Sequence, residues 1–313
     1  MHDFVPKISV AMCTYNGARF LSAQLDSILR QSIPVFEIII VDDRSSDNTL
    51  DILKKYAHDY DNIRYYVNEH NLGFVNNFSS AISKTSGDYV ALADQDDVWT
   101  DDHLEILLNN IGSKAVCVGD AIMIRSDGSE TRELFSQIKQ NHYIPSSDVY
   151  KAYRIVYNYN PYQGASMLID RAWVDNLLPF SSRAGYHDTF LAGWACLTKG
   201  MSVIPNIVTK YRMHSGQVTR QWKVSLFDEI KHLRHRVCFP SKEYLIDCIS
   251  EKAPVLSNDA IAFIKEFQLI RELDRQKKRV RVLKIMNRHY REIYSCYRNK
   301  FLILRSLHFL LSL

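Results

Sequence analysis

The stretch Gly87–Trp99, GDYVALADQDDVW, joins a short apolar run to a dense acidic cluster. The run Tyr89–Ala93 is typical of a buried strand. Asp94, Asp96 and Asp97 follow it within four positions, and carboxylates this close repel one another unless a cation or a hydrogen-bond donor compensates them. The stretch therefore predicts a buried strand that ends at a polar site.

The residues before this strand alternate short apolar runs with longer amphipathic segments, which is typical of βαβ units. The predicted strands are Ile8–Cys13, Glu37–Val41, Ile63–Val67 and Tyr89–Ala93, and the predicted helices are Phe20–Arg30, Thr49–Tyr60 and Phe74–Lys84. Helical crossovers of this kind connect parallel strands. The sequence predicts an α/β fold whose strands end at one common edge, where such sheets bind ligands.

Polar loops follow three of these strands. Thr14–Gly17 follows the first strand, Asp42–Asp47 the second and Asp94–Asp97 the fourth. Oxygen ligands from an Asp-x-Asp pair suit Mg²⁺ or Mn²⁺, which often complete their shells with substrate phosphates. A carboxylate at the end of the second strand can accept hydrogen bonds from a base or a ribose. Together these loops predict a nucleoside-diphosphate pocket.

Each acidic cluster also has a purely structural interpretation. Asp97 or Asp101 can cap a helix that begins near Thr100. The pair after the second strand can form an Asx-turn that leads into a helix capped by Asp47. Both interpretations stay open at this point.

The second half of the chain changes character. Its predicted strands are Ala115–Ile124, Ala165–Ile169 and Ser202–Val208, with a short helix at His187–Leu197. Glu130–Pro161 is irregular and aromatic, which predicts a surface loop or a substrate wall. From Val224 the pattern is helical, with breaks near Pro240 and Pro254. One boundary is therefore expected near Arg220, between an α/β domain of residues 1–220 and a helical region of residues 221–313.

Composition narrows the class of protein. With 313 residues, 46% of them hydrophobic and 24% charged, the chain has the balance of a folded protein. The six cysteines include no CxxC pair, which predicts neither a zinc site nor a disulfide framework and fits reduced cytosolic thiols. No charged-then-apolar leader is present, and no segment has the roughly 20 apolar residues that span a bilayer. We expect a cytoplasmic protein.

Five segments, taken in order, resemble the motifs of family-two inverting glycosyltransferases of the GT-A fold. They are SVAMCTYNGARFLSAQLDSILRQ, EIIIVDDRSSDNT, NLGFVNNFSSAI, GDYVALADQDDVW and GYHDTFLAGWACL. The resemblance covers roughly Ile8 to Arg220. It implies that residues 1–220 are a catalytic domain that moves a single sugar from a nucleotide-diphosphate donor to an acceptor hydroxyl with inversion at the anomeric carbon.

The resemblance also implies roles for particular residues. The implied nucleotide-sugar contacts are Thr14, Tyr15, Asn16, Asp42, Asp43, Asn71, Gly73 and Asp94. Asp96 and Asp94 are the implied ligands of Mn²⁺ or Mg²⁺. Asp188 is the implied base, although on the sequence alone it is more readily the N-cap of a helix at Thr189–Leu197. Family members often carry an acid where this chain has His187, which can tune Asp188, touch the acceptor or simply pack.

His187-Asp188, DQDDVW and Tyr211–His214 resemble the subset of rhamnosyltransferases that build bacterial surface polysaccharides. Met213 departs from the Gln of that subset. The donor implied is rhamnose or another hexose on thymidine or uridine diphosphate. His214 is a metal or diphosphate contact or a buried, hydrogen-bonded histidine, and Arg212 and Arg220 bind diphosphate or form surface ion pairs. An extra Gln221 interrupts the Gln-x-x-Arg-Trp motif of processive synthases, which favours single-sugar addition.

The C-terminal region alternates basic and apolar residues, as in Arg279–Met286, RVRVLKIM. A basic amphipathic helix can lie on the inner face of an anionic membrane and would suit a lipid-linked saccharide acceptor. The alternative is a packed helical pair with its basic face in water. No nucleic-acid-binding fold accompanies the charge, and no nucleic acid is expected. The rival functions are a sugar-nucleotide nucleotidyltransferase and an inactive membrane-associated scaffold.

Overall fold

The computed structural model describes residues 6–138, 145–157, 160–217, 240–253 and 255–289. The strands are β1 Ile8–Thr14, β2 Glu37–Asp42, β3 Ile63–Val67, β4 Tyr89–Asp94, β5 Val98–Trp99, β6 Val116–Ile124, β7 Glu130–Leu134, β8 Met167–Asp170 and β9 Met201–Arg212. The helices are α1 Leu21–Leu29, α2 Thr49–Asp59, α3 Phe74–Ser83, α4 His103–Ile111, α5 Phe135–Ile138, α6 Asp148–Tyr157, α7 Arg171–Asp175, α8 His187–Leu197, α9 Pro240–Lys252, α10 Asn258–Arg275 and α11 Arg279–Met286.

The chain divides into two compact units. The first comprises Met1–Phe135, Tyr162–Asp188 and Met201–Val218, and the second comprises Ser136–Pro161, Thr189–Gly200 and Thr219–Leu313. All the predicted site residues, from Thr14 to His214, belong to the first unit. The boundary expected near Arg220 lies outside the described residues and stays a prediction.

The first unit is built on one sheet with the order β3-β2-β1-β4-β8-β6-β9-β5, and β7 pairs with β6. β1 to β4 run parallel, and β8 is antiparallel to β4. The register pairs Thr14 with Asp42 and Cys13 with Asp94. The carboxyl ends of β1, β2 and β4 therefore meet at one edge, as the sequence predicted, and the fold class is α/β.

The apolar face of α1 shows why this layer is stable. Leu21, Leu25 and Ile28 recur at the spacing of one helix face, and each is fully buried. Ile38–Val41 of β2 are also fully buried, as expected for a parallel strand covered on both faces. Each such side chain contributes about 1.5–3 kcal/mol through burial.

The prediction that Glu130–Pro161 is irregular was wrong, because its described part contains β7, α5 and α6. The alternative of a substrate wall stays a prediction. β7 forms a hairpin with β6 around Gly128, which has a positive φ of 88°. The returning strand, ETREL, was missed because charged residues occupy both of its faces, so it lacks the apolar alternation that identifies a half-buried strand.

His103 is a buried titratable group in the core of the first unit. Its ring stacks on Trp99 with a centroid separation of 3.8 Å, and Nδ1 lies 2.8 Å from the carbonyl oxygen of Val208. Burial lowers the pKa of His103 to about 3. Between that value and the ordinary pKa near 6.5, the unfolded state binds a proton that the folded state excludes.

Stability is therefore expected to fall as the pH drops below about 6.5. Between pH 7 and pH 5 the loss from His103 approaches about 2 kcal/mol, at 1.36 kcal/mol per pH unit. Urea denaturation at both pH values measures it. His103→Asn, which can keep a donor near Val208, is the control, and an unchanged pH slope in that variant would contradict the assignment.

None of the helices within the described residues is long and apolar enough to cross a membrane.

Candidate active site

The loop after β1 is fastened to the loop after β4 by Gln95. The Tyr15 N–H donates to Gln95 Oε1 at 2.8 Å, and Gln95 Nε2 donates to the Tyr15 carbonyl at 3.0 Å. A Cβ on Gly17 would lie 2.0 Å from Gln95 Oε1, so only glycine permits this approach. The Tyr15 side chain remains 50% exposed, which leaves its ring available to a ligand.

Asp42 and Thr14 hold each other at the ends of β2 and β1. Asp42 accepts hydrogen bonds from Thr14 Oγ1 at 2.7 Å and from the backbone N–H and hydroxyl of Ser45 at 2.8 and 2.6 Å. Asp42 has no exposed surface, and its carboxylate positions the loop. Asn16, with φ of 49°, accepts from the Ser46 N–H at 2.8 Å.

Asp43 binds the segment that precedes α3 through hydrogen bonds. Its carboxylate accepts from the N–H groups of Leu72 and Gly73 at 2.7 and 2.9 Å and from Asn68 Nδ2 at 2.9 Å. Asn71 Nδ2 donates to the Asp43 carbonyl at 3.2 Å. Gly73 has φ of 76°, a conformation that favours glycine. The structure thus brings Asp43, Asn71 and Gly73 together.

Asp43→Ala is expected to lower the free energy of unfolding by about 3 kcal/mol. The substitution removes the hydrogen bonds that the Asp43 carboxylate accepts from the Leu72 and Gly73 N–H groups, and each hydrogen bond to a charged group contributes about 1.5–3 kcal/mol. Urea denaturation at pH 7 measures the change. Asp61→Ala, at an exposed site, is the matched control, and equal stability of the two variants would contradict this anchoring role.

Three of the predicted carboxylates form an acidic centre. Asp94 ends β4 and Asp188 lies in the first turn of α8. Burial, reinforced by the negative charges of Asp96 and Asp188, raises the pKa of Asp94 to about 7. The strand end and the helix start therefore place their acids within mutual electrostatic reach. α8 begins at His187, so Asp188 is a helical residue and not the N-cap that the sequence also allowed.

Asp97, the third acid of the DQDD run, holds other parts of the protein together. Asp97 is buried and accepts from Gln163 Nε2 at 2.8 Å and from the Arg212 N–H at 2.9 Å. Burial and the charges of Asp96 and Asp94 raise its pKa well above the ordinary value. The capping interpretation of Asp97 and Asp101 was wrong, because Asp102 occupies the N-cap position of α4.

His214 closes the acidic centre from the end of β9. Its Nε2 lies 2.8 Å from Asp96 Oδ2, and the Gly216 N–H donates to Nδ1 at 3.2 Å. In the neutral ring, Nδ1 is therefore the acceptor and Nε2–H donates to Asp96. The ring packs on Phe20 with a centroid separation of 4.8 Å. His214 is thus directed at the carboxylate that the sequence associates with metal.

The Arg212 side chain contacts the backbone of the loop that contains Asp96. Its guanidinium Nε donates to the Asp96 carbonyl at 2.8 Å, and the group lies 4.8 Å from the centroid of the Phe20 ring. Arg212 is only 5% exposed. Neither a diphosphate contact nor a surface ion pair describes this arrangement. Arg212 is a buried side chain that holds the loop containing Asp96. Arg220, the other arginine considered, lies outside the described residues.

The donor set fits a divalent cation. Carboxylates and an imidazole suit Mn²⁺ or Mg²⁺, and a cation would offset the repulsion that raises the pKa of Asp94. Within the described ranges, no three His, Cys, Asp or Glu side chains form a ready-made metal site. Asp96, Asp94 and His214 would therefore hold a cation only together with further ligands, and substrate phosphates and water could supply them.

His187 is packed beside the implied base. Its ring stacks on Phe78 with a centroid separation of 4.0 Å, and a Cβ on Gly164 would lie 2.7 Å from its Nε2. Burial lowers the pKa of His187, which keeps the ring neutral. Neither ring nitrogen has a hydrogen-bond partner among the described residues. Of the three roles considered, packing is the one that these contacts support.

Comparison with known proteins gives a family match that includes the loops after β1, β2 and β4 and ends before Asp188. Residues 9–178 match Glycosyl transferase family 2. An uncharacterized glycosyltransferase of Haemophilus influenzae is 27% identical over 241 residues, which are 68% of each chain. The Escherichia coli UDP-Glc:alpha-D-GlcNAc-diphosphoundecaprenol beta-1,3-glucosyltransferase WfgD is 32% identical over 116 residues, which are 36% of this chain and 44% of that protein. The match to WfgD therefore spans less than half of that enzyme.

Solved structures agree on the architecture. Staphylococcus aureus TarS 1–349 in complex with UDP-GlcNAc aligns with a TM-score of 0.54 at 18% identity, covering 93% of both chains. The mannosyltransferase PcManGT of Pyrobaculum calidifontis, in complex with GDP-Man and Mn²⁺, aligns with a TM-score of 0.53 at 15% identity, covering 94% of this chain and 88% of that one. At these identities the likeness concerns the fold, which is that of the GT-A glycosyltransferases.

Proposed function

The chain belongs to glycosyl transferase family 2, and from this premise we propose that it transfers a single sugar, with inversion, from a nucleotide-diphosphate donor to an acceptor hydroxyl. The observation that carries the proposal is the acidic centre: Asp94 ends β4 at the carboxyl edge of the sheet, Asp96 and Asp188 are close enough to raise its pKa, and His214 Nε2 lies 2.8 Å from Asp96 Oδ2. In such a centre, Asp94 and Asp96 can hold a cation beside the leaving diphosphate, and Asp188 can accept the proton of the attacking hydroxyl.

The donor end of the pocket is formed by the loops after β1 and β2. Tyr15, half exposed, offers a ring to the nucleotide base, and Asn16 lies beside it. The Asp43 carboxylate is used within the protein, so its contribution to donor binding is to fix Asn71 and Gly73 at the start of α3. We assign Thr14 and Asp42 the same supporting role, because their polar groups bond to each other.

The acid that suits the general base is Asp188. Its carboxylate accepts the proton of the acceptor hydroxyl as that oxygen attacks the anomeric carbon. The bond between this carbon and the diphosphate oxygen breaks on the opposite face, and the nucleoside diphosphate leaves. Asp96, Asp94 and His214 are the residues that would hold a divalent cation, which would supply positive charge to the departing diphosphate. Attack opposite to the leaving group inverts the anomeric configuration.

The neighbours in sequence and fold indicate the classes of donor and acceptor. WfgD is named for a UDP-glucose donor and a diphosphoundecaprenol acceptor, and TarS was solved with UDP-GlcNAc. A uridine- or thymidine-diphosphate hexose, rhamnose included, fits these precedents. We propose a lipid-linked saccharide acceptor in the synthesis of bacterial surface polysaccharide, with the enzyme at the cytoplasmic face of the membrane.

Calorimetric titration tests the donor pocket. The full chain is titrated with dTDP-rhamnose, UDP-glucose, UDP-galactose and UDP-GlcNAc, each with Mn²⁺ and with a chelator. We expect one of these sugars to bind in the presence of Mn²⁺ and to lose affinity with the chelator. The donor that binds is then incubated with short saccharide acceptors, and release of nucleoside diphosphate without any transferred sugar would contradict the transferase proposal.

A further inference from the structure

A basic turn joins α10 to α11 in the second unit. We use this name for residues 275–284, whose exposed cations are Arg275, Lys277, Lys278, Arg281 and Lys284. Between residues 275 and 284 the sequence contains no acid, and Val280 at its centre is 54% exposed. The turn therefore combines concentrated positive charge with an exposed apolar side chain.

Four of these cations have no partner among the described residues. No ion pair or side-chain hydrogen bond joins Lys277, Lys278, Arg281 or Lys284 to another of the described residues. Elsewhere in the same unit a cation is paired, since Arg271 lies 3.0 Å from Asp247 and 3.1 Å from Glu243. Like charges held together without partners repel one another, so an external anionic surface is the partner that complements the turn.

The basic turn is held in place by the packing on either side of it. The N–H groups of Lys277 and Lys278 donate to the carbonyls of Asp274 and Leu273, each at 2.8 Å, which satisfies the last carbonyls of α10. Lys277 has φ of 57°. Buried side chains on α10 and α11 support these backbone bonds: Phe263, Phe267, Ile270, Leu273, Val282 and Ile285.

A second anchor follows α11. His289 Nε2 lies 3.2 Å from Glu266 Oε2 on α10, and its ring stacks on Tyr153 with a centroid separation of 3.9 Å. The Tyr153 hydroxyl donates to Glu266 Oε1 at 2.9 Å. These contacts join α6, α10 and the end of α11, so the cations are presented from a fixed helical pair.

We propose that the basic turn is a docking surface for an anionic phospholipid bilayer. The inference deepens the proposed function, because it places the site that brings the enzyme to a lipid-linked acceptor, and it rests on that function for its choice of partner. Each exposed Lys or Arg near an anionic membrane strengthens binding by about fivefold. A nucleic acid suits the turn less well, because residues 275–284 contain no aromatic ring on which a base can stack.

The test is sedimentation of the full chain with vesicles of phosphatidylcholine alone and of phosphatidylcholine with 30% phosphatidylglycerol. Wild-type protein should bind only the anionic vesicles, with affinity that falls as salt rises. Lys277→Gln/Lys278→Gln should weaken that binding by about 30-fold, since two cations are removed. Both lysines are exposed, so the variant should fold and retain transfer to a soluble acceptor.

The matched control is Lys54→Gln/Lys55→Gln, an exposed lysine pair on α2 in the first unit. It removes the same net charge and should leave vesicle binding unchanged. Equal loss in the two double variants, or no binding of wild type to anionic vesicles, would overturn the docking surface. Tighter binding of wild type to a single-stranded RNA than to the vesicles, lost in the Lys277/Lys278 variant, would overturn it in favour of nucleic acid. Transfer to a soluble acceptor is read separately, so failure of the surface and failure of the enzyme are distinct results.

Discussion

Asp188→Asn is expected to lower kcat by about 10²–10⁴-fold, the range that general-base catalysis contributes. Asparagine keeps the size of the side chain but cannot accept the proton of the acceptor hydroxyl. The proposed donor contacts lie on the loops after β1 to β4, so affinity for the nucleotide sugar should change little. Calorimetry gives the affinity, and steady-state release of nucleoside diphosphate gives kcat.

The control for this variant is Asp175→Asn, which changes an acid on α7 that is half exposed and pairs with Arg171. It should retain wild-type kcat. If Asp188→Asn turned over at the wild-type rate, Asp188 would be removed from the chemical step. Equal loss in donor affinity and kcat would instead make Asp188 a binding residue.

Asp96→Asn is expected to remove most of the stabilisation that Mn²⁺ gives to donor binding. Asparagine can still accept a hydrogen bond from His214 Nε2 but has lost the charge that attracts a cation. Substitution of groups that only orient metal ligands costs about 10–100-fold in metal affinity or activity, and loss of a ligand should cost at least as much. Titrating donor at several Mn²⁺ concentrations measures the effect.

Asp101→Asn is a suitable control for Asp96→Asn. Asp101 is five residues further along, has a side chain that is 76% exposed, and lies 3.9 Å from Arg30 in a surface pair. That variant should keep the wild-type Mn²⁺ dependence. The ligand role of Asp96 would be contradicted by a variant whose donor affinity responds to Mn²⁺ as wild type does.

The fold of the first hundred residues followed from short-range pattern. β3 has the predicted bounds, and β1, β2 and β4 each extend one residue past their predicted ends. Periodicity succeeds here because apolar residues on these strands and helices face a single core. It failed for β7, whose charged residues lie on both faces, and the helical pattern of α6, DVYKAYRIVY, was interpreted as irregular.

The site was predictable where chain position alone brings residues together. Asp94 and Asp96 follow a strand that must end at the ligand edge, so their meeting needs little tertiary information. Asp188 joined them only through the family resemblance, because the sequence alone made it a helix cap. Asp188 is distant from Asp94 along the chain, so no local sequence pattern can predict that the two lie close together.

The supporting roles of three residues were not predicted from the sequence. Gln95, Asp97 and Gln163 act through hydrogen bonds to groups that lie 66 to 115 positions away. The DQDD run contained the first two, but a local pattern cannot say which acid faces the ligand and which one is buried. The burial of Arg212 was not predicted either. Arginines are mostly exposed, whereas this one donates to backbone carbonyls.

The central claim is inverting transfer at the acidic centre, and the anomeric configuration of the product tests it most directly. Donor of defined configuration is incubated with the enzyme, Mn²⁺ and a soluble acceptor, and the newly formed glycosidic bond is assigned by proton NMR. The account predicts the opposite configuration to that of the donor, formed by wild type and lost in Asp188→Asn. A product that retains the donor configuration would contradict direct attack assisted by Asp188.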